Sequence, residues 1–225
     1  MAGPDTSPPT MMQRVLASDF AFDFTRAPLA MLAAAVVLFL FVIAILAPLV
    51  APTNPFDPAS LNLMNGFTPP MTPNMFTGQS FVMGADDQGR DLLSAIIYGL
   101  RVSLFVGVMS VLLAMGIGVS LGLVAGYVGG WLDNLIMRIA DIQLTFPSIL
   151  IAMLIFGVLR GIIPPDLRDE MAIFVLIAAI GLSEWVPFAR TVRATTLVEK
   201  EKEYVQAARL IGLRRGQIMW RHILP

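Results

Sequence analysis

Cysteine is absent from the 225 residues, so there is neither a disulfide framework nor a thiolate metal site. Histidine occurs once, at His222, which argues against a His-rich metal or catalytic centre. Lysine occurs twice, at Lys200 and Lys202, each directly after a Glu. A phosphate-binding P-loop needs Gly-Lys-Ser/Thr, so the chain does not bind ATP by that route. Charge is scarce at 14% of residues, where a soluble domain carries about 25%. The net charge of −1 gives no global case for nucleic-acid binding. What is there instead is apolar: 56% of residues are hydrophobic and mean hydropathy is +0.76. These values point to a membrane protein. No cofactor, metal or catalytic residue is expected.

A helix needs about 20 apolar residues to cross the hydrocarbon. Gaps between charges locate four candidates. The first is an uncharged stretch from Ala27 to Phe56, with its span over 29–51. The second is charge-free from Val102 to Leu132; Gly129-Gly130 ends it and leaves about 102–125. The third falls at about 135–159 and the fourth at about 171–190, interrupted by Glu184. The first span is preceded by a mostly polar tail over 1–28. Its length and the poor cleavage site at Pro48–Pro52 favour a retained anchor over a signal peptide.

Basic residues orient the spans. With the N-terminus in the cytoplasm, eleven of the fifteen basic residues lie inside, including the eight from Arg190 to Arg221. Arg90, Arg101, Arg160 and Arg168 lie outside. The outer loop over 52–98 is rich in Pro and Asn and reads as irregular and solvated. Asp91 before Leu92-Leu93 is a helix-start signal, and a short interfacial helix is expected there.

Several features could carry packing or coupling. Ser110, Ala114, Gly118, Gly122 and Gly126 place a small residue at every fourth position, which lets another helix approach closely in lipid. A backbone-lined substrate path is the alternative use of that row. Arg138 and Asp141 are three apart and share a helix face, as a structural pair at the interface or, alternatively, as part of a transport site. Glu184 is an acid near the end of the fourth span, where a functional role and plain contact with interfacial water both remain open. Pro147 should kink the third span, as packing or as a hinge.

The segment over 191–225 is basic. Glu199–Ile211 reads as a helix with Tyr204, Ala207, Ala208 and Ile211 on one side, and Gly212 ends it. Gln217–Ile223 forms a second short helix. Such a segment could simply be drawn to lipid headgroups.

Here the residues also resemble a known family. Glu203-Tyr204-Val205-Gln206-Ala207-Ala208-Arg209-Leu210-Ile211-Gly212, then nine residues, then His222-Ile223-Leu224-Pro225, is similar to the EAA loop of permease subunits of bacterial ABC importers. Gln206 stands where Glu is usual, and His222 where Ile is usual. Met83-Gly84-Ala85-Asp86-Asp87-Gln88-Gly89-Arg90-Asp91 resembles the signature of dipeptide/oligopeptide permeases, with Ala85 in place of Thr. Gly126–Asp133 and Asp141–Ser148 are also similar to that family. One span, a long outer loop and then the signature is the layout of its C-type subunit.

The resemblance implies an all-α polytopic membrane protein with the type-1 ABC importer permease fold. Family members continue past Leu-Pro with two further spans, so four of six helices are expected here and the chain looks truncated. The core would run over 99–225. The implied partners are a homologous second permease subunit in a heterodimer, two cytoplasmic ABC ATPase subunits, an extracytoplasmic substrate-binding protein and membrane lipid, with no nucleic acid. The implied location is a bacterial inner membrane. Translocation of di- or oligopeptides would proceed by alternating access, with ATP hydrolysed in the partner and none of it here. Coupling to the ATPase would use Tyr204, Gln206, Ala207, Ala208 and Gly212, with Arg209 and Arg215 at the rim. Asp86, Gly89, Arg90 and Asp91 are the signature residues. The alternatives are an ion-coupled secondary transporter, which would show repeats and mid-membrane ionisable residues, and a non-functional truncated fragment.

Overall fold

A helix without a charge has no side on which to meet water, and the first helix is of that kind. In the computed structural model, which describes residues 24–57 and 61–224, helix α1 spans Pro28–Ile45. Proline at its first turn costs nothing, because the amide it lacks would be unpaired there anyway. Among α1 residues only Ala44 is buried, and its large apolar side chains point outward all round. Such a surface is suited to lipid. A one-turn helix α2, Ala47–Val50, closes the segment. Most of the tail expected over 1–28 lies outside the described residues, as do Arg14 and Pro225.

The chain divides into two compact units at Leu104/Phe105, inside the long helix α3, Leu92–Val128. In the first unit the Pro-rich loop over 52–98 is more ordered than expected for a solvated stretch. Asn and Thr side chains replace the backbone ladders that its prolines forbid. Asn65 is buried; its amide donates to Gln79 Oε1 at 2.7 Å, and its side-chain oxygen accepts from Thr77. Asn74 donates to Met64 O at 2.9 Å and to Thr68 Oγ1 at 2.7 Å. One turn of 3-10 helix, Leu63–Asn65, sits within this web.

The second unit begins with the rest of α3. Then follow α4 (Gly130–Leu144), α5 (Ser148–Ile162), α6 (Arg168–Ser183), α7 (Trp185–Glu199), α8 (Glu203–Leu210) and α9 (Arg215–Ile218), which runs into a π-helical turn, Met219–Ile223. Three expectations are corrected here. The second helix starts at Leu92 rather than 102, because Asp91 caps it and absorbs the short interfacial helix into one rod. The third span is not one kinked helix: α4 and α5 meet at 99°. Pro147 cannot continue α4, and Thr145 Oγ1 turns back onto Ile142 O at 2.5 Å. The fourth span is likewise two helices, bent by 41° at Glu184. Pro187 has no amide to offer the Ser183 carbonyl, which explains the break.

By length and composition, α1 and α3 are each long and apolar enough to cross a membrane, and up to four spans result if each bent pair counts as one. The described residues contain no strand beyond two isolated bridges.

Candidate coupling segment

Three short pieces, α8, the turn at Gly212 and α9, form the segment whose sequence carries the permease-loop pattern. Their placement begins with α3. The last turns of α3 carry Leu123, which is fully buried with Val205 and Ala208 of α8, Ile218 of α9 and Ile223 of the π turn. Tyr127, Val192, Leu213 and Met219 pack around this cluster. Val205, Ala208 and Ile218 are therefore inward anchors that hold the segment onto α3.

Gly212 ends α8 for a stereochemical reason. Its φ is +83°, a region that side chains with a Cβ rarely adopt. Beyond α8, Leu213 N donates to Ala208 O at 3.2 Å and Gly212 N donates to Arg209 O at 3.1 Å. That pair of bonds is a Schellman motif, which satisfies the last carbonyls of the helix. After it, Arg214 N is held by Gln217 Oε1 at 3.3 Å.

Two expectations fail at this point. Glu199–Ile211 is not one helix: the chain breaks at Lys200–Lys202, with Lys202 extended at ψ 148°. The break redirects α8 so that Val205 and Ala208 can reach Leu123. Lys200 turns its ammonium onto Gly126 O at 3.0 Å, a cation at the C-terminal end of α3. Ala208 is also not on the outward side with Tyr204 and Ala207, being only 4% exposed. Outward surface is left by Tyr204, Gln206, Ala207 and Arg209, and beyond them by Leu210, Ile211 and Gly212. Leu210 and Ile211 are 88% and 76% exposed. Tyr204 donates its hydroxyl to Glu199 Oε2 at 2.5 Å, and this bond raises its pKa above the ordinary value. Arg215 is exposed at the start of α9.

The small-residue row of α3 faces α6 and α7. Ser110 and Ala114 are buried, and Ser110 Oγ donates to Ile177 O at 3.4 Å. A Cβ at Gly118 would collide with Trp185 O and Phe188, and one at Gly122 with the Ala189 backbone. At Gly126 it would lie 2.7 Å from the Thr196 side chain. The same seam continues into a cluster of Ala125, Ile136, Ala140, Trp185, Val186 and Ala189.

Charges then tie α4 to α7. Arg193 binds Asp133 through two nitrogens at 2.5 and 2.7 Å. Asp141 pairs with Arg190, which corrects the expected pairing with Arg138. Packing of α7 on α4 delivers the Arg190 guanidinium to Asp141, and this partner replaces the neighbour on its own helix. Arg190 and Arg193 are one turn apart, a spacing that could have signalled a shared acidic face. Gln143 gave no such signal. Its amide donates to Ser183 O at 2.8 Å and accepts from Trp185 Nε1 at 2.8 Å, so it spans the carbonyls and the indole at the α6–α7 break. Glu184 sits half-buried at that break, with no ion-pair partner among the described residues.

The Asp86–Asp91 signature builds the joint into α3. Asp86 Oδ1 accepts from the amides of Gln88 and Arg90, both at 2.9 Å, and Oδ2 accepts from Arg90 Nε at 2.7 Å. Burial works against its ionisation, but these Arg90 and Gln88 bonds outweigh burial and hold the carboxyl below its ordinary pKa. Gly89 has φ +76°, and a Cβ there would strike Asn62 O. Asp91 Oδ2 accepts from Ser94 N at 3.0 Å and from Ser94 Oγ at 2.5 Å, and Ser94 Oγ in turn accepts from Thr53 N at 3.1 Å. Asp91, Ser94 and Thr53 together hold the loop to the helix start.

Comparison with known proteins completes the picture. Residues 118–225 match the family described as the binding-protein-dependent transport system inner membrane component. Residues 16–70 match the N-terminal TM domain of oligopeptide transport permease C. The chain is 34% identical over 221 residues to the dipeptide transport system permease protein DppC of Haemophilus influenzae, covering 97% of this chain and 70% of that protein. It is 32% identical over 207 residues to the oligopeptide transport system permease protein OppC of Bacillus subtilis, covering 92% and 61%. It is 40% identical over 210 residues to the glutathione transport system permease protein GsiD of Escherichia coli, covering 92% and 62%. The helices, the folded loop joint and these matches together identify a multi-pass inner-membrane protein that belongs to the C-type permease subunits of the peptide ABC importer family.

Proposed function

We propose that the chain is a translocation subunit of an ATP-driven importer of di- or oligopeptides. Its partners are a homologous permease subunit, two ATPase subunits and an extracytoplasmic substrate-binding protein. The observation that carries this reading is the α8–Gly212–α9 segment. Its inner face is anchored on α3, and its outer face leaves Tyr204, Gln206, Ala207, Leu210 and Ile211 exposed. A rigid link of this kind transmits a push from a closing ATPase into α3 and α7. The ATPase can shift the permease only by gripping the segment differently in its two states. Arg209, Gly212 and Arg215 complete the coupling set: Gly212 sets the turn, and the arginines rim it. Ala208 contributes from inside, by holding α8 in place.

The domain plan that goes with this function has a cytoplasmic N-terminal tail, the α1 anchor, an extracytoplasmic loop and a permease core that begins near residue 99. The test of function uses the chain carried to the length of its relatives, in proteoliposomes with its three kinds of partner. Peptide accumulation that requires ATP is expected. Accumulation driven by an ion gradient without ATP would instead establish a secondary transporter.

Topology is tested separately. The chain has no Cys, so single Cys residues at Ser7, Thr72 and Gln217 report cleanly. A membrane-impermeant thiol reagent applied to intact cells should label Thr72→Cys only. Labelling of Gln217→Cys would reverse the orientation that the eleven inner basic residues imply.

A further inference from the structure

A second surface of this segment has chemistry of its own. Tyr127, Val128, Arg209, Leu213, Arg215 and Ile218 line a cavity of about 370 Å³. Its charge is of one sign. From Tyr204 to Leu224 there are four arginines, Arg209, Arg214, Arg215 and Arg221, and no acid. Every ion pair among the described residues lies elsewhere, so all four guanidiniums lack a carboxylate. Arg209 lies over the Tyr127 ring with its guanidinium carbon 5.3 Å from the centroid. That stacking orients the planar fork without using its N–H donors. Two such forks in one cavity suit an oxyanion that accepts several hydrogen bonds at once, which is the geometry of phosphate.

Depth suggests where the phosphate comes from. Residues 102–128 of α3 carry no charge, and a helix of that length rises roughly 40 Å against about 30 Å of hydrocarbon. Tyr127 and Val128 therefore stand at the level of headgroups, where tyrosine is enriched. Basic pockets at that level bind anionic headgroups.

We propose that the cavity between the Tyr127 end of α3 and the α8–α9 turn is a phosphate-recognition site, and that it takes the headgroup phosphate of an anionic phospholipid. The site shares Arg209 and Arg215 with the proposed coupling surface but needs no ATPase. It can thus be tested on the chain alone.

The purified chain is exchanged into a neutral detergent and titrated with phosphatidylglycerol or with phosphatidylcholine of the same acyl chains. Native mass spectrometry counts the bound lipid. Phosphatidylglycerol should bind at least tenfold tighter than phosphatidylcholine. Arg209→Gln with Arg215→Gln should abolish that preference, while Arg168→Gln at the start of α6 leaves it unchanged. Both pocket arginines are exposed, so the lipid-free thermal midpoint of the double variant should match the parent; Arg209→Lys with Arg215→Lys, which keeps the charge, should recover part of the preference. Inorganic phosphate is titrated in parallel by thermal shift. If phosphate alone stabilises the parent as much as the lipid does, and not the double variant, the phosphate assignment stands and the lipid source is overturned. A parent that does not discriminate between the lipids and ignores phosphate overturns the site. A double variant that keeps its lipid preference but loses the ATPase subunit also overturns it, and assigns the arginines to acidic groups of that protein.

Discussion

Gly122→Leu should be the most damaging single change in the membrane-embedded part of the chain. A Cβ at Gly122 would already lie at 3.0 Å from the Ala189 carbonyl carbon and Cα, which are backbone atoms that cannot rotate away. Adding an isobutyl group forces α3 and α7 apart along the seam that also packs Ala125, Ala140 and Trp185. Overpacking of a tight core costs about 1–3 kcal/mol and occasionally more, and the rigid backbone contact places this case at or above the top of that range. Lipid offers no hydrophobic drive to pull the helices back together, because association there depends on close packing. Gly107→Ala on the same helix is the internal control, since nothing lies within 4 Å of its added Cβ. Relief of glycine's helix penalty makes that change neutral or stabilising by about 0.5–1 kcal/mol. The measurement is the temperature at which half of the detergent-solubilised chain loses its monodisperse peak. Gly122→Leu should lower it by many degrees or prevent purification, and Gly107→Ala should not lower it. Equal midpoints for Gly122→Leu and the parent would mean that the glycine row carries no helix contact.

What could be seen in the chain beforehand divides along a physical line. Spacing between charges marked the two long apolar helices, α1 and α3, because hydropathy is a local property of roughly 20 residues. The four-residue rhythm from Ser110 to Gly126 marked a helix-packing face for the same reason: the periodicity lies within one element. The breaks were harder. Pro147 was visible, but whether a proline bends a helix slightly or ends it depends on the partners of the freed carbonyls, and those come from Thr145 and from packing. At the α6–α7 joint the decisive residue is Gln143, 40 positions away from Ser183 in the chain. Pairing of Asp141 with Arg190 spans 49 positions. No local pattern reports such partners, and the neighbour Arg138 looked equally suitable. The loop over 52–98 went the other way. Its prolines excluded regular structure, but the asparagines that supply substitute hydrogen bonds look identical in composition to those of a disordered stretch.

Ala208→Glu and Leu210→Glu should fail for opposite reasons, although they lie two residues apart. A reading of the motif alone puts Ala208 against the ATPase. In the folded chain it is 4% exposed and packs with Leu123, Val205, Ile218 and Ile223. A carboxylate there has no partner and no water, and an uncompensated buried charge costs about 3–5 kcal/mol. The expected result is detachment of α8 and α9 from α3, seen as a lower thermal midpoint and as new proteolytic cleavage between Glu199 and Gly212, with no ATPase needed. Leu210 is 88% exposed and is not part of the buried cluster around Leu123. Leu210→Glu should change stability by no more than about 0.5 kcal/mol. At an interface the same change replaces an apolar anchor with a charge, and loss of a central anchor costs about 2 kcal/mol or more, roughly a thirtyfold loss of affinity. ATPase copurification with a chain carried to the length of its relatives should therefore drop sharply for Leu210→Glu while its proteolysis pattern stays that of the parent. Full ATPase recovery with Leu210→Glu would remove α8 from the coupling surface. A stable, protease-resistant Ala208→Glu would show that α8 does not rest on Leu123, and would reopen the outward placement of Ala208.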